Sequence, residues 1–205
     1  MRIGEAGAPA VLLVPPLFEE MNRTRALMAA AMWALAGRGF GCWLPDLPGT
    51  GESERALGEI EWEEWRHGVA SAARHAAAAA GRLPLVASIR GGALLDDSAE
   101  APGQWRLSPA AGSSIVRDME RSGLAGGVAW AGYAPSKGLV EALARAEPAG
   151  GDRVRTARLS SDRGEADSKL DGPALWRRSE PGNSTELAEA MAADIADWAG
   201  ACDGF

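Results

Sequence analysis

The sequence predicts an α/β protein whose mostly parallel sheet is covered on both faces. Three observations carry this. Short apolar runs alternate with long helix-like stretches along the chain. The runs stop at Pro, Gly, Asp or Ser, as strands do when they enter loops. With 46% hydrophobic and 24% charged residues over 205 positions, the chain has the balance of a globular domain with a sizeable core. One domain over 1–205 is expected, without internal repeat or linker.

The elements follow in order. Val11–Val14 is fully apolar and stops at Pro15-Pro16, so it reads as a buried strand. Asn22 is placed to cap an alanine-rich helix over 23–37. Residues 40–44 form a second strand, running into the turn-rich stretch Pro48-Gly-Thr-Gly-Glu-Ser53. A long helix is expected over 59–80, with Trp62, Trp65 and Val69 on one face. Residues 83–88 make a third strand, and Gly91-Gly92 opens a helix almost without a loop. Further strands are expected over 104–107, 128–133, 154–160 and 174–178, and a helix over 136–147. Residues 110–127 show no clear period. Ser184 or Thr185 caps a last amphipathic helix reaching Trp198.

Composition excludes several partner classes. The formal net charge is −7, which repels phosphate backbones, so no nucleic-acid partner is expected. Cys42 and Cys202 are too few for a disulfide framework. The apolar run 10–18 is broken by two prolines, is too short to span a membrane, and lacks a basic flank or cleavage site; the cytoplasm is the default. No metal site or cofactor is expected.

Ligands of parallel sheets bind beyond the carboxyl ends of the strands. One such end is Ser88-Ile89-Arg90-Gly91-Gly92. Its strand–turn–helix pattern overlays the Gly-x-Ser-x-Gly nucleophile elbow of α/β-hydrolases, with small residues where backbones approach closely. Arg90 stands at the centre, and a guanidinium is neither nucleophile nor general base. The two histidines, His67 and His75, both fall inside the long helix, not in the loop 179–183 where a triad histidine belongs. Asp162 occupies the place of the acid without a histidine to orient.

Val14-Pro-Pro-Leu-Phe-Glu-Glu-Met-Asn-Arg-Thr-Arg25 resembles the opening motif of the second type of exosortase A system-associated hydrolase family, found beside exopolysaccharide genes. Leu44-Pro-Asp-Leu-Pro-Gly-Thr-Gly-Glu-Ser53, Glu61-Trp-Glu-Glu-Trp65, Ile89 to Leu95, 128–143 and 175–180 agree in order. The resemblance implies an α/β-hydrolase-like three-layer sandwich in exosortase- or exopolysaccharide-linked cell-surface biology. Against that pattern the N-terminal strands are truncated, the cap region is reduced, and Ser88 replaces a glycine. Fold likeness does not establish hydrolysis.

Glu19, Glu20, Asn22 and Arg23, with Arg25, crowd the loop beside the elbow. Two readings stand. Glu19 or Glu20 pairs Arg90 in a structural ion pair. Alternatively Arg90, with the amides of Gly91 and Gly92 and the polar side chains of Glu19, Glu20, Asn22 and Arg23, holds a small polar or anionic ligand. The expected function is a catalytically degenerate hydrolase-like protein binding such a ligand or a partner. The alternative is a hydrolase in which Glu20 or Glu180 activates water and Arg90 stabilises developing charge. Gly49-Thr-Gly51 reads as a turn, since no Gly-Lys-Ser/Thr ending follows. Ser53 and Ser113-Ser114 have no base at hand, Cys42 reads as a buried apolar residue, and the tryptophans as core. Trp105 and Trp176 also lie near strand ends, where an indole can stack on a sugar.

Overall fold

The structure, a computed structural model, describes residues 1–126 and 129–202. Among them, seven strands form one sheet: β1 (Arg2–Ile3), β2 (Ala10–Val14), β3 (Gly41–Trp43), β4 (Leu85–Ile89), β5 (Gln104–Leu107), β6 (Val154–Leu159) and β7 (Ser168–Leu170). Their order is β1-β3-β2-β4-β5-β6-β7, and all pairs are parallel except β1 with β3. Five α-helices connect them: α1 (Glu19–Ala36), α2 (Trp62–Ala80), α3 (Gly112–Gly126), α4 (Lys137–Arg145) and α5 (Thr185–Ala201).

Strand alternation sorts the core into two layers. Val11 and Leu13 of β2 face α1 and α5, with Leu27, Met28, Met32, Met191 and Ile195. Ala10, Leu12 and Val14 face α2, α3 and α4, with Trp65, Val69, Ile115, Leu139 and Leu143. Every residue of β2 and β4 is buried, because helices cover both faces. The result is a three-layer α/β sandwich. The chain leaves β2 for β3 on one side and returns to β4 on the other, so the sheet changes winding direction between β2 and β4. A crevice at that switch point is where such sheets place ligands.

Several sequence expectations are corrected. α1 begins at Glu19, so Asn22 lies inside the helix and caps nothing; Glu19 and Glu20 fill the first turn, where acidic side chains suit the dipole. The stretch after Arg90 is two 3-10 turns, Arg90–Leu94 and Asp96–Ser98, rather than a helix. Two glycines disfavour a longer helix, and the buried side chain of Asp96 is tied inward to Arg106. Residues 112–126, without readable period, form α3; Ile115 and Met119 are its buried i, i+4 pair, but its glycines and serines weaken the signal.

The strand expected over 128–133 is a 3-10 turn, Ala129–Gly132, with Val128 outside the described residues. The strand expected over 174–178 is likewise a 3-10 turn, Leu175–Arg177, and the outer strand is instead β7. The two-residue β1 was not anticipated. The other strand expectations agree within a few residues, and Ser184 caps α5 by accepting from the Leu187 amide at 3.2 Å. Cys42 is fully buried in β3, and burial pushes its thiol up to about 12.

Candidate functional site

Arg90 follows β4 directly, at the switch point. Its backbone is left-handed, with φ of 54°, a conformation that costs a bulky residue about 1–2 kcal/mol and turns its side chain out of the strand. The next two positions are crowded, Gly91 by side chains that can shift and Gly92 by fixed backbone. A Cβ on Gly91 would lie 2.5 Å from Ile115 Cδ1, and one on Gly92 would lie 2.5 Å from the Val14 carbonyl oxygen.

Glu20, from the first turn of α1, meets the arginine. Arg90 Nε donates to Glu20 Oε1 at 3.1 Å, and Nη2 donates to the same oxygen at 3.0 Å. The two side chains are 13% and 16% exposed. Burial pushes the Glu20 carboxyl above its usual range, and the Arg90 charge pulls against that shift. Arg90 Nη1 donates to the Ser108 carbonyl at 3.2 Å, and its guanidinium lies over the Trp176 ring, 5.4 Å from the centroid. The pairing of a glutamate with Arg90 is therefore real, and Glu20 forms it.

Asp162, after β6, reaches the same edge. Its carboxylate accepts from Ser108 Oγ at 2.9 Å and lies 3.8 Å from Arg177. The position of a triad acid is thus tied to the elbow through a serine. Glu180 is exposed in the loop 178–183 and lines neither cavity beside Arg90. Asn22 donates to the Tyr133 hydroxyl at 2.9 Å, and Glu19 lies 3.7 Å from Arg23. Burial pushes the Tyr133 hydroxyl up, and the nearby Glu19 charge adds to the shift. His67 and His75 sit on exposed turns of α2, away from the elbow.

Two cavities flank Arg90. One, about 460 Å³, is lined by Glu19, Glu20, Arg23, Arg90, Asp118, Arg121, Trp176 and Arg177 among others. The second, about 350 Å³, adds Ser114 and Arg117 and shares Arg90, Asp118, Arg121 and Arg177. Together five arginines face three carboxylates, and one of those, Asp118, is bonded to Arg121. The mouth of the elbow is locally cationic in a protein of net charge −7.

The 3-10 turn after Arg90 is too short to build a helix dipole that would add to the charge of Arg90. Side chains, not amides, supply the positive charge. Arg117, Arg121 and Arg177 escaped the sequence reading because α3 and the turn 175–177 were not recognised. Once α3 is known, Arg117 and Arg121 are visible as an i, i+4 pair.

A second arginine pair lies beneath the elbow. Ser88 of β4 and Arg106 of β5 are register partners on the α2–α4 face. Ser88 Oγ donates to Asp96 Oδ2 at 2.8 Å, and Arg106 donates through Nε and Nη2 at 2.8 and 2.7 Å. All three are buried. Burial pushes the Asp96 carboxyl up, while the Arg106 and Ser88 hydrogen bonds pull it down. Ser88 is thus spent on a buried carboxylate and has no approach to solvent. Trp105 and Trp176 are buried too, which removes both as sugar-stacking surfaces. The loop Gly49-Thr-Gly51 is a turn, as expected, closed by Gly49 donating to Ser53 Oγ at 2.9 Å. Among the described residues no group of three His, Cys, Asp or Glu is placed to hold a metal ion.

Comparison with solved structures defines the class. Mouse alpha/beta hydrolase domain-containing protein 10 superposes with a TM-score of 0.61 at 12% identity, covering 98% of this chain and 93% of its own. The 2-hydroxy-6-oxo-6-phenylhexa-2,4-dienoate hydrolase of Rhodococcus sp. strain RHA1 gives 0.56 at 13%, covering 95% and 92%. TT1662 from Thermus thermophilus gives 0.51 at 18%, covering 96% and 91%. The chain has the α/β-hydrolase fold. No family model matches the sequence, and no curated protein does.

Proposed function

We propose that this chain is a catalytically degenerate α/β-hydrolase-fold protein, built as one domain, that holds a small anionic or oxygen-rich ligand, or an acidic group of a partner, above Arg90. The observation that carries the reading is the arginine at the elbow, paired with Glu20 and roofed by a cavity with Arg117, Arg121 and Arg177 on its walls. Guanidinium groups are suited to carboxylate, sulfate and phosphate because they donate in parallel pairs.

A hydrolase built on Glu20 fits less well. Its carboxylate lies along the guanidinium of Arg90 and offers a poor base to water. The resemblance to the exosortase A-associated family supports a setting in exopolysaccharide or exosortase-linked cell-surface biology, at the cytoplasmic side of that system. No helix among the described residues is long and apolar enough to cross a membrane.

Two measurements test this. Short-chain esters should be turned over no faster by the protein than by its Arg90→Ala variant, and a serine-directed fluorophosphonate should leave it unlabelled. Sulfate should raise the melting temperature of the wild type and lose most of that effect in the Arg121→Gln/Arg177→Gln double variant. Ester turnover above the variant, or an equal sulfate effect in both proteins, would overturn the reading.

A further inference from the structure

We propose that the Arg90 elbow binds a small carboxylate by exchange: the ligand takes the Nε–Nη2 edge that Glu20 now occupies, and Glu20 leaves it as the neutral acid. This rests on the anion-binding reading above and specifies its ligand class and its coupling to protons.

The argument begins with what already sits on Arg90. The Nε–Nη2 edge holds a carboxylate, with three contacts of 3.0 to 3.3 Å. The seat is therefore shaped for that group; its present occupant comes from the protein. The third nitrogen is fixed on the Ser108 carbonyl and the ring of Trp176 lies against the guanidinium, so Arg90 stays in place when its partner changes. Glu20 and Arg90 both line the 460 Å³ cavity, which gives the glutamate side chain room to move and a ligand room to enter.

Charge decides the form in which Glu20 leaves. Two carboxylates crowded onto one half-buried guanidinium repel each other. The other carboxylates around it already have partners. On α1, Glu19 lies beside Arg23; on α3, Asp118 is bonded to Arg121; after β6, Asp162 is held by Ser108 and flanked by Arg158 and Arg177. Arg117, at the cavity wall, donates to Ser114. Neither histidine lines these cavities, so none is at hand to take up the proton. Glu20 takes one proton from solvent as one ligand carboxylate binds, and total charge at Arg90 is unchanged. Burial raises the glutamate toward the pH range where this exchange is accessible.

Calorimetry with glucuronate, in buffers of different ionisation enthalpy, tests the exchange. Wild-type affinity should rise about tenfold for each unit of pH lowered from 7, levelling once Glu20 is already protonated, with about one proton taken up per ligand at neutral pH. Glu20→Gln, an isosteric mimic of the neutral acid, should bind at pH 7 more tightly than wild type and without pH dependence. Circular dichroism verifies that this variant is folded. Arg90→Gln should lose binding at every pH. Wild-type binding that is equal at pH 5 and 7, without proton uptake, overturns the exchange and leaves an anion site on the outer arginines. No binding by wild type or by folded Glu20→Gln at any pH overturns the exchange and removes glucuronate as a ligand; sulfate stabilisation that persists then preserves the broader anion-binding reading, and its loss overturns that too.

Discussion

Arg90 and Arg106 each hold a carboxylate from another element, and burial separates what the two pairs are worth. Asp96 and the Arg106 side chain are 0% and 4% exposed, so removing the arginine strands a charge in the core. Arg106→Met should cost about 3–5 kcal/mol at neutral pH in urea unfolding. The penalty belongs to the ionised Asp96. It should therefore shrink as pH falls and Asp96 takes up a proton, since burial already raises that carboxyl and the variant removes a group that lowers it. Arg90→Met leaves Glu20 beside an open cavity, where water can reach it. The expected loss is smaller, about 1–2 kcal/mol. A larger loss for Arg90→Met than for Arg106→Met would mean that the elbow pair is the main polar anchor of the fold.

At the scale of elements, the elbow is held by contact rather than by helix propensity. Gly92 rests against the carbonyls that end β2, which are fixed in the sheet and cannot retreat. Gly92→Ala should cost about 3 kcal/mol or more. Gly81, which closes α2 with φ of 72° and has open space around it, should cost only about 1 kcal/mol as alanine. Thermal melts of the two variants give the comparison, and equal losses would show that the backbone around Gly92 yields to a methyl group despite its close contact. The same distinction explains what was legible in the sequence. The buried strands β2 and β4 announce themselves as apolar runs, and α2 by its spaced tryptophans. Within the two stretches read as strands, tertiary packing makes 3-10 turns of Ala129–Gly132 and Leu175–Arg177; Leu175 and Trp176 are core residues without being strand. Arg90 and Glu20 could each be suspected from the elbow pattern. Their pairing was one of two readings, because no local rule fixes a contact between residues so far apart in the chain. Arg106 gave no signal, since a charged residue inside a strand reads as solvent-facing until the layer above it is known, and Asp96 gave none because it lies in a 3-10 turn where the sequence reads as helix.

For the whole molecule, one aspartate ties the sheet to its last helix. Asp194 of α5 accepts from Trp105 Nε1 of β5 at 2.6 Å, from Arg155 of β6 at 2.7 and 3.1 Å, and from Ser168 of β7 at 2.9 Å. Burial alone would raise its carboxyl, but these hydrogen bonds hold it below the usual range. A lowered carboxyl stabilises the fold while ionised. Asp194→Asn should therefore destabilise the protein at neutral pH by about 1–3 kcal/mol. The difference from wild type should persist down to the ordinary aspartate range and fade below it. Denaturant midpoints across that range check the sign, and a difference that grows on acidification would contradict it.

The sheet ends in two very short strands, β1 with two residues and β7 with three. An exposed edge is a template for unwanted growth, because its free amides and carbonyls invite a strand from another molecule. Here one flank offers a foreign chain almost no length to copy. The other carries Lys169, one of the two lysines in the sequence, whose ammonium is exposed and donates to the carbonyls of Asp162 and Gly164 at 2.7 Å each. A charge standing on the last rung makes docking of a greasy strand costly, and so guards this edge of the sheet against fibre growth.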